Sequence, residues 1–291
     1  MTHQWGTNAM KKLFKRKTAV AGLVITVAVI LMAIFAPYVA PHDPEKVDLA
    51  LRLKPPFWLE NGSFNYPLGT DSLGRDVLSR IIFGSQKSIL VSFLATVISC
   101  ILGVILGLIS GYYGGMLDTV ITRLGDIQLA FPLILLSIAV IAVLGASTIN
   151  LIIVFGIANW VVYARVTRGA VLSVKEKEYV ESSRAAGCSD WRIIIYHIFP
   201  NVFAPIIVIA TLSLAGIIIS ESSLSFLGLG VPPPNPTWGG MLSEGRQYLY
   251  DGWWVATFPG LAIMLTVLGV NLFGDGLRDA FDPKLSTERI E

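Results

Sequence analysis

The sequence predicts an all-α integral membrane protein that crosses the bilayer six times. Three observations carry that reading. Hydrophobic residues make up 54% of the 291-residue chain. Charged residues make up only 14%, against about a quarter in a soluble domain. Mean hydropathy is +0.66, and six long apolar runs carry no internal charge. These are residues 18–36, 88–110, 127–144, 147–164, 202–220 and 253–273. A span needs about 20 predominantly apolar residues. Lipid offers no hydrogen bonds, so each run must close its own backbone bonds as a helix.

The first run follows the basic cluster Lys11, Lys12, Lys15, Arg16 and Lys17. It exceeds the h-region of a cleaved signal, about 7–15 residues, and reads as a retained anchor behind an arm of residues 1–17. The long segment 37–87 is rich in Pro, Asp and Asn at first. It then reads Pro67-Leu-Gly-Thr-Asp-Ser-Leu-Gly-Arg-Asp-Val-Leu-Ser-Arg80, where Thr70 or Ser72 is placed to cap a short helix. The segment is expected to rest as a lid on the membrane surface. In the second run, Gly103, Gly107, Gly111 and then Gly115 recur every fourth residue. They form one helical ridge that admits a close neighbour. The third and fourth runs are parted only by Gly145 and Ala146, which predicts a tight turn.

Between the fourth and fifth runs, residues 175–186 favour a helix that Gly187 then breaks. Ser189 is placed to cap a second short helix over 190–197, with Asp190 at its positive end. Pro200 is expected to close the segment. Such a structured loop suits a docking surface, or an amphipathic helix on anionic lipid. The stretch 221–252 is studded with Gly and Pro. Irregular backbone near membrane depth belongs beside protein or a watery cavity, so it is expected at a pathway or gate. A tail of residues 278–291 follows the sixth run.

Lys and Arg set the orientation. With the N-terminus inside, 15 of the 22 fall on inside segments, and both termini are cytoplasmic.

The same residues exclude other classes. A net charge of +2 offers nothing to nucleic acid. Cys100 and Cys188 suggest neither a disulfide framework nor a metal site, and His3, His42 and His197 are too few and scattered for one. An ion-coupled secondary transporter needs ionisable groups near the midplane, whereas Asp126, Glu221 and Asp275 lie at span ends. An enzyme needs a nucleophile and base, or a metal; neither His-Glu-x-x-His nor Gly-x-Ser-x-Gly occurs. The dipeptide Gly-Lys of a P-loop is absent too. By polarity alone, Asn159, Trp160, Glu221 and Asn271 are the candidates for lining a translocation path.

Glu181-Ser-Ser, Gly187 six residues on and Pro200 resemble the EAA loop of permeases of ABC importers. Ser182 and Ser183 stand for the family's alanines, and Phe199 for the Leu before the proline. Gly-Thr-Asp-Ser-Leu-Gly-Arg-Asp (69–76), Ser-Phe-Leu-Gly-Leu-Gly (225–230), Glu-Gly-Arg-Gln-Tyr (244–248) and Gly-Asp-Gly-Leu-Arg-Asp (274–279) resemble the C-type permease subunit of dipeptide, oligopeptide and nickel importers. The resemblance covers nearly the whole chain. It implies a type I ABC importer permease fold in the bacterial inner membrane, with a cytoplasmic coupling helix between spans four and five. It gives coupling to Glu181, Ser182, Ser183 and Gly187, flanked by Ser189, Asp190, Trp191 and Arg192 and ended by Pro200. It also implies a second permease subunit, two cytoplasmic ATP-binding subunits that hold ATP and Mg, and an extracytoplasmic substrate-binding protein. This chain itself would hold no cofactor and catalyse nothing. Such permeases carry peptides, nickel, glutathione or other small solutes on similar frameworks; peptide is the expected cargo.

Overall fold

The computed structural model describes residues 13–14 and 16–281. Most of the N-terminal arm and residues 282–291 of the tail lie outside the described residues. Among the described residues, regular structure is helical apart from one isolated bridge between Thr70 and Asp76.

Helix α1, Lys17–Ile34, is followed by a single turn at Ala36–Val39 and a long irregular segment. Helix α2, Val77–Tyr113, then runs 37 residues without a break. Its N-cap is Asp76, whose Oδ2 accepts from the Ser79 N–H at 3.0 Å. The caps expected at Thr70 or Ser72, and a separate short helix, do not form. The Thr70 hydroxyl is taken up by the segment before it, accepting from the Lys54 N–H at 2.8 Å and donating to the Leu51 carbonyl.

The third run does not make one straight helix. Helix α3, Gly115–Leu129, and helix α4, Leu133–Leu144, meet at an 86° bend. Pro132 sits at the break, with no N–H to continue the ladder. Helices α5, Thr148–Ala158, and α6, Trp160–Lys175, form one 28-residue span with a local break at Asn159. After α7, Glu178–Ala185, helix α8, Asp190–Ile193, passes through a π-helical turn at Ile194–Ile198 into α9, Phe199–Phe226. Pro200 therefore does not end the segment. It lies inside the continuous helical run Asp190–Phe226, two residues after the π-helical turn at Ile194–Ile198, where the altered ladder accommodates its missing N–H. The second short helix is the beginning of the fifth span, not a separate piece. Helix α9 also continues past residue 220, so Glu221 is helical and irregular backbone begins after Phe226. Helix α10, Trp238–Gly245, interrupts that connection before α11, Trp254–Phe281.

The glycine ridge meets α6 at backbone distance. A Cβ on Gly103 would stand 2.3 Å from the Trp160 carbonyl oxygen, and one on Gly107 2.6 Å from that of Ala164. One on Gly111 would stand 2.8 Å from Val171 Cβ. Ser99 extends the row, donating to the Gly156 carbonyl at 2.8 Å. Gly115 is not part of it; its φ of +57° places it in the turn into α3. The contacts climb together, from 99 with 156 to 111 with 171, so α2 and α5–α6 run parallel. A parallel pair requires a return crossing between them. The bent pair α3–α4 supplies it, giving six crossings in all.

Small residues also seat α1 on α11. Cβ atoms on Gly22, Gly269 and Gly276 would lie 2.6 Å from Phe273 N, 2.6 Å from Ile25 Cγ2 and 2.3 Å from Ala19 Cβ.

Adding a side chain to the ridge must separate the two backbones, and overpacking costs about 1–3 kcal/mol or more. Gly107→Val is expected to lower the unfolding temperature in detergent markedly. Gly216→Ala, where a Cβ meets nothing within 4 Å, should leave it near the wild-type value.

Candidate functional site

The end of the bundle where α2 and α6 finish carries the α7–α8 loop. Helix α7 ends in a Schellman arrangement. The Cys188 N–H reaches the Ser183 carbonyl at 3.1 Å and the Gly187 N–H that of Arg184 at 3.0 Å. Gly187 has φ +78°, a left-handed conformation that strongly favours glycine. The elbow thus turns the chain sharply from α7 into α8.

The loop is anchored on one face and bare on the other. Val180, Ile193, Ile194 and Ile198 are buried with Val104, Tyr112, Val171 and Val174 from α2 and α6. The Tyr112 hydroxyl donates to Asp190 at 2.6 Å, and the Arg184 guanidinium lies 5.6 Å from the Tyr112 ring centroid. Lys175 closes the underside on the Gly111 carbonyl at 3.0 Å. The outward face carries Glu181, Ser182, Gly187, Ser189, Arg192 and Pro200, all exposed, and Ser183, half-buried. Trp191 and Tyr196 are each 71% exposed, large aromatics left without cover on a rigid support. Ser189 stands at the N-cap of α8, but its hydroxyl makes no capping bond. Asp190, in the first turn, is spent on Tyr112.

The residues singled out for a translocation path are scattered. Asn159 donates from Nδ2 to the Phe155 carbonyl at 3.0 Å, one turn back at the α5–α6 break. Trp160 is buried and donates from Nε1 to Gln128 Oε1 at 2.7 Å. Glu221 is completely buried. Asn271 is half-buried on α11. No hydrogen bond joins them among the described residues. The two asparagines left out Gln128, which also donates to the Ala158 carbonyl at 2.5 Å and ties α3 to the break. An amide inside an apolar run was its visible signal.

At the other end of the bundle, two of the motif stretches meet. Asp71 accepts from Arg75 Nε at 2.7 Å and from Arg80 Nη1 at 2.5 Å. Glu244, 169 residues along from Arg75, accepts from Arg75 Nη2 and Arg80 Nη1, both at 2.7 Å. Asp71 and Arg80 are buried. Indole N–H groups reinforce this knot, Trp254 to the Thr70 carbonyl at 3.0 Å and Trp238 to that of Ile81 at 2.9 Å.

The fold is thus a six-crossing helical bundle with a loop at one end that is buried on one face and bare on the other. Residues 103–287 match the family of binding-protein-dependent transport system inner membrane components. Residues 4–56 match the N-terminal transmembrane domain of oligopeptide transport permease C. The chain is 50% identical over 273 residues to the dipeptide transport system permease protein DppC of Escherichia coli (strain K12), covering 94% of this chain and 91% of that one. It is 46% identical over 269 residues to the di/tripeptide transport system permease protein DppC of Pseudomonas aeruginosa (strain UCBPP-PA14), covering 92% and 89%. A structure of inward-facing MetNI methionine ABC transporter superposes with a TM-score of 0.57 at 18% identity, over 69% of this chain and 96% of that one, and shares the fold. The chain belongs to the family of binding-protein-dependent transport system inner membrane components and is a multi-pass inner membrane protein.

Removing one partner of a buried ion pair leaves an uncompensated charge and costs about 3–5 kcal/mol. Arg80→Ala is expected to lower thermal stability by that order, read by unfolding in detergent. Arg80→Met with Asp71→Asn should recover part of the loss.

Proposed function

We propose that this chain is one permease subunit of an ATP-driven importer for dipeptides and other short peptides. It pairs with a second permease, two ATP-binding subunits on the cytoplasmic side and an extracytoplasmic binding protein that delivers the cargo. The observation that carries the reading is the α7–α8 loop, held rigidly from beneath by Val180, Ile193 and Tyr112 while Glu181, Ser182 and Trp191 remain bare. The relatives that span nine-tenths of the chain are named as dipeptide permeases, which supports the cargo.

The loop faces the cytoplasm, and both termini lie on that side, in keeping with the excess of Lys and Arg there. Glu181, Ser182, Ser183 and Gly187 enter a cleft of an ATP-binding subunit, with Ser189, Asp190, Trp191 and Arg192 beside it. ATP and Mg are held by those subunits, and this chain serves as a non-catalytic pore. The sequence lacks a P-loop, so the energy must arrive by contact. Closure of the ATPase pair pushes α7–α8. Because α8 runs unbroken into α9, the push passes along the fifth span to the connection at its far end. Of Asn159, Trp160, Glu221 and Asn271, the two asparagines are the polar groups offered to the path, and Trp160 and Glu221, both buried, reach it only on opening.

Gentle solubilisation of the tagged chain from native membranes, with mass spectrometry of its companions, tests the assembly. A second permease and P-loop ATPases are expected; recovery of the chain alone contradicts it. Gly187→Val forces a branched residue into φ +78°, at a cost of about 1–2 kcal/mol. Membrane insertion should persist while peptide-stimulated ATP hydrolysis in proteoliposomes falls sharply. Unaltered coupling in that variant would count against the loop's role.

A further inference from the structure

Glu221 is the one fully buried carboxylate on a spanning helix among the described residues to which no charged partner is bonded. Its Oε1 accepts from the Ser225 hydroxyl at 2.8 Å, one turn along α9. Its Oε2 has no hydrogen-bond partner, and neither has the Ser222 hydroxyl. Ser225 alone is at bonding distance; the Ser88 and Ser222 hydroxyls lie near the carboxyl without closing a bond to it. Ser88 on α2 is itself completely buried.

The chamber is closed by backbone. A Cβ on Gly239 would stand 2.3 Å from the Ser222 carbonyl oxygen, and one on Gly230 1.9 Å from Ser225 Oγ. The Trp238 N–H reaches Ser88 Oγ at 3.4 Å. The lid over Glu221 is thus the α9–α10 connection together with the first turn of α10, within the stretch assigned above to a gate.

The charged groups of the surrounding elements are engaged elsewhere. On α2, Arg80 serves Asp71 and Glu244, and Lys87 lines an outer pocket with Asp43 and Glu45. Glu244 of α10 belongs to the same ion knot, and Arg246 lies over the Phe226 ring at 5.5 Å. On α6, Arg165, Arg168 and Lys175 bond to Asp126, Asp118 and the Gly111 carbonyl at the loop end. Tyr163 of α6 and Cys100, Tyr112 and Tyr113 of α2 lie further toward that end. Helices α4 and α5 carry no titratable side chain, and Asp275, Arg278 and Asp279 of α11 fall in its last two turns.

A buried carboxylate normally takes two or three donors or an opposite charge; this one has one formed bond, from Ser225, and two nearby hydroxyls that can accept as readily as donate. A neutral acid suits the place. Its carbonyl oxygen accepts from Ser225, and its O–H has the oxygens of Ser222 and Ser88 as acceptors. We infer that Glu221 is a proton-binding site: it holds a proton while the α9–α10 connection is seated, and releases it to extracytoplasmic water when that connection lifts and admits solvent. The exchange is a single acid ionisation, with the proton passing to water and no other reactant. Import is thereby linked to pH on the outer face, with acid favouring the seated conformation. The proton site stands on burial and bonding in this chain; its link to import rests on the importer reading.

Infrared difference spectroscopy of the purified complex separates the two. Wild type minus Glu221→Gln should show the carbonyl stretch of a protonated carboxyl. Ser225→Ala, which removes the hydrogen bond to Oε1, should shift that band upward. A wild-type spectrum without a band sensitive to either substitution, as with an ionised carboxylate or a bound cation, overturns the site. In complex trapped with a non-hydrolysable ATP analogue, the band should be lost; its persistence overturns the link to opening while leaving the proton site. Failure of the complex to bind the analogue at all would instead be a failure of the importer reading.

Discussion

The contact between α2 and α6 along Gly103, Gly107 and Gly111 positions everything at the loop end of the molecule. Backbone meets backbone there, so side-chain rearrangement cannot relieve a change in register. Helix α6 delivers the chain into α7, and the last turn of α2 supplies Tyr112 and the Gly111 carbonyl that hold the loop from below. If the ridge moves, the platform for Glu181, Ser182 and Trp191 moves with it. In the proposed coupling, the loop acts as a lever whose force passes through the π-helical turn at Ile194–Ile198 into α9. The continuity of α8 with α9 gives that lever a long arm.

The opposite end depends on charge and on indole donors. Asp71, Arg75, Arg80 and Glu244 lock the long first segment to α10, and Trp238 and Trp254 donate to carbonyls beside them. Desolvated pairs of this kind tolerate the loss of both partners far better than the loss of one. The knot leaves α10 and its preceding connection as one body resting on α9, over Glu221. In the proposed cycle, motion at this end is a lifting of that body, driven from the α7–α8 loop at the other end.

Much of this was written in local pattern. Apolar length marked the spans, and the four-residue glycine repeat marked the helix that another would approach. The elbow at Gly187 could be read from a helix-forming stretch that stops at a glycine. What escaped the pattern depends on distant partners. Thr70 and Ser72 looked like caps, but Asp76 took that role because the Thr70 hydroxyl is bonded to the segment around Leu51 and Lys54. Pro200 reads as a stop, yet the helix carries on past it after the π-helical turn at Ile194–Ile198. The ion knot joins residues 169 apart, and nothing in the local sequence around Asp71 names Glu244. Residues 69–76 and 244–248 are separate motifs in the sequence, and only the fold brings them together. Polarity marks Asn159, Trp160, Glu221 and Asn271 but says nothing about the side of a helix: Glu221 is sealed inside, and Gln128, an amide of the same kind, ties α3 to the α5–α6 break.

In the proposed assembly, the bare face of the α7–α8 loop is the docking surface for an ATP-binding subunit. Photo-crosslinking from position 182 in native membranes tests it most directly, with the same probe at position 135 on α4, where Leu135 is exposed, as the comparison. The probe at 182 should capture a P-loop ATPase, in a yield that changes when ATP is added, while the probe at 135 does not. Capture of lipid alone from position 182, or the same product from both positions, would contradict the account and return the loop to the membrane surface.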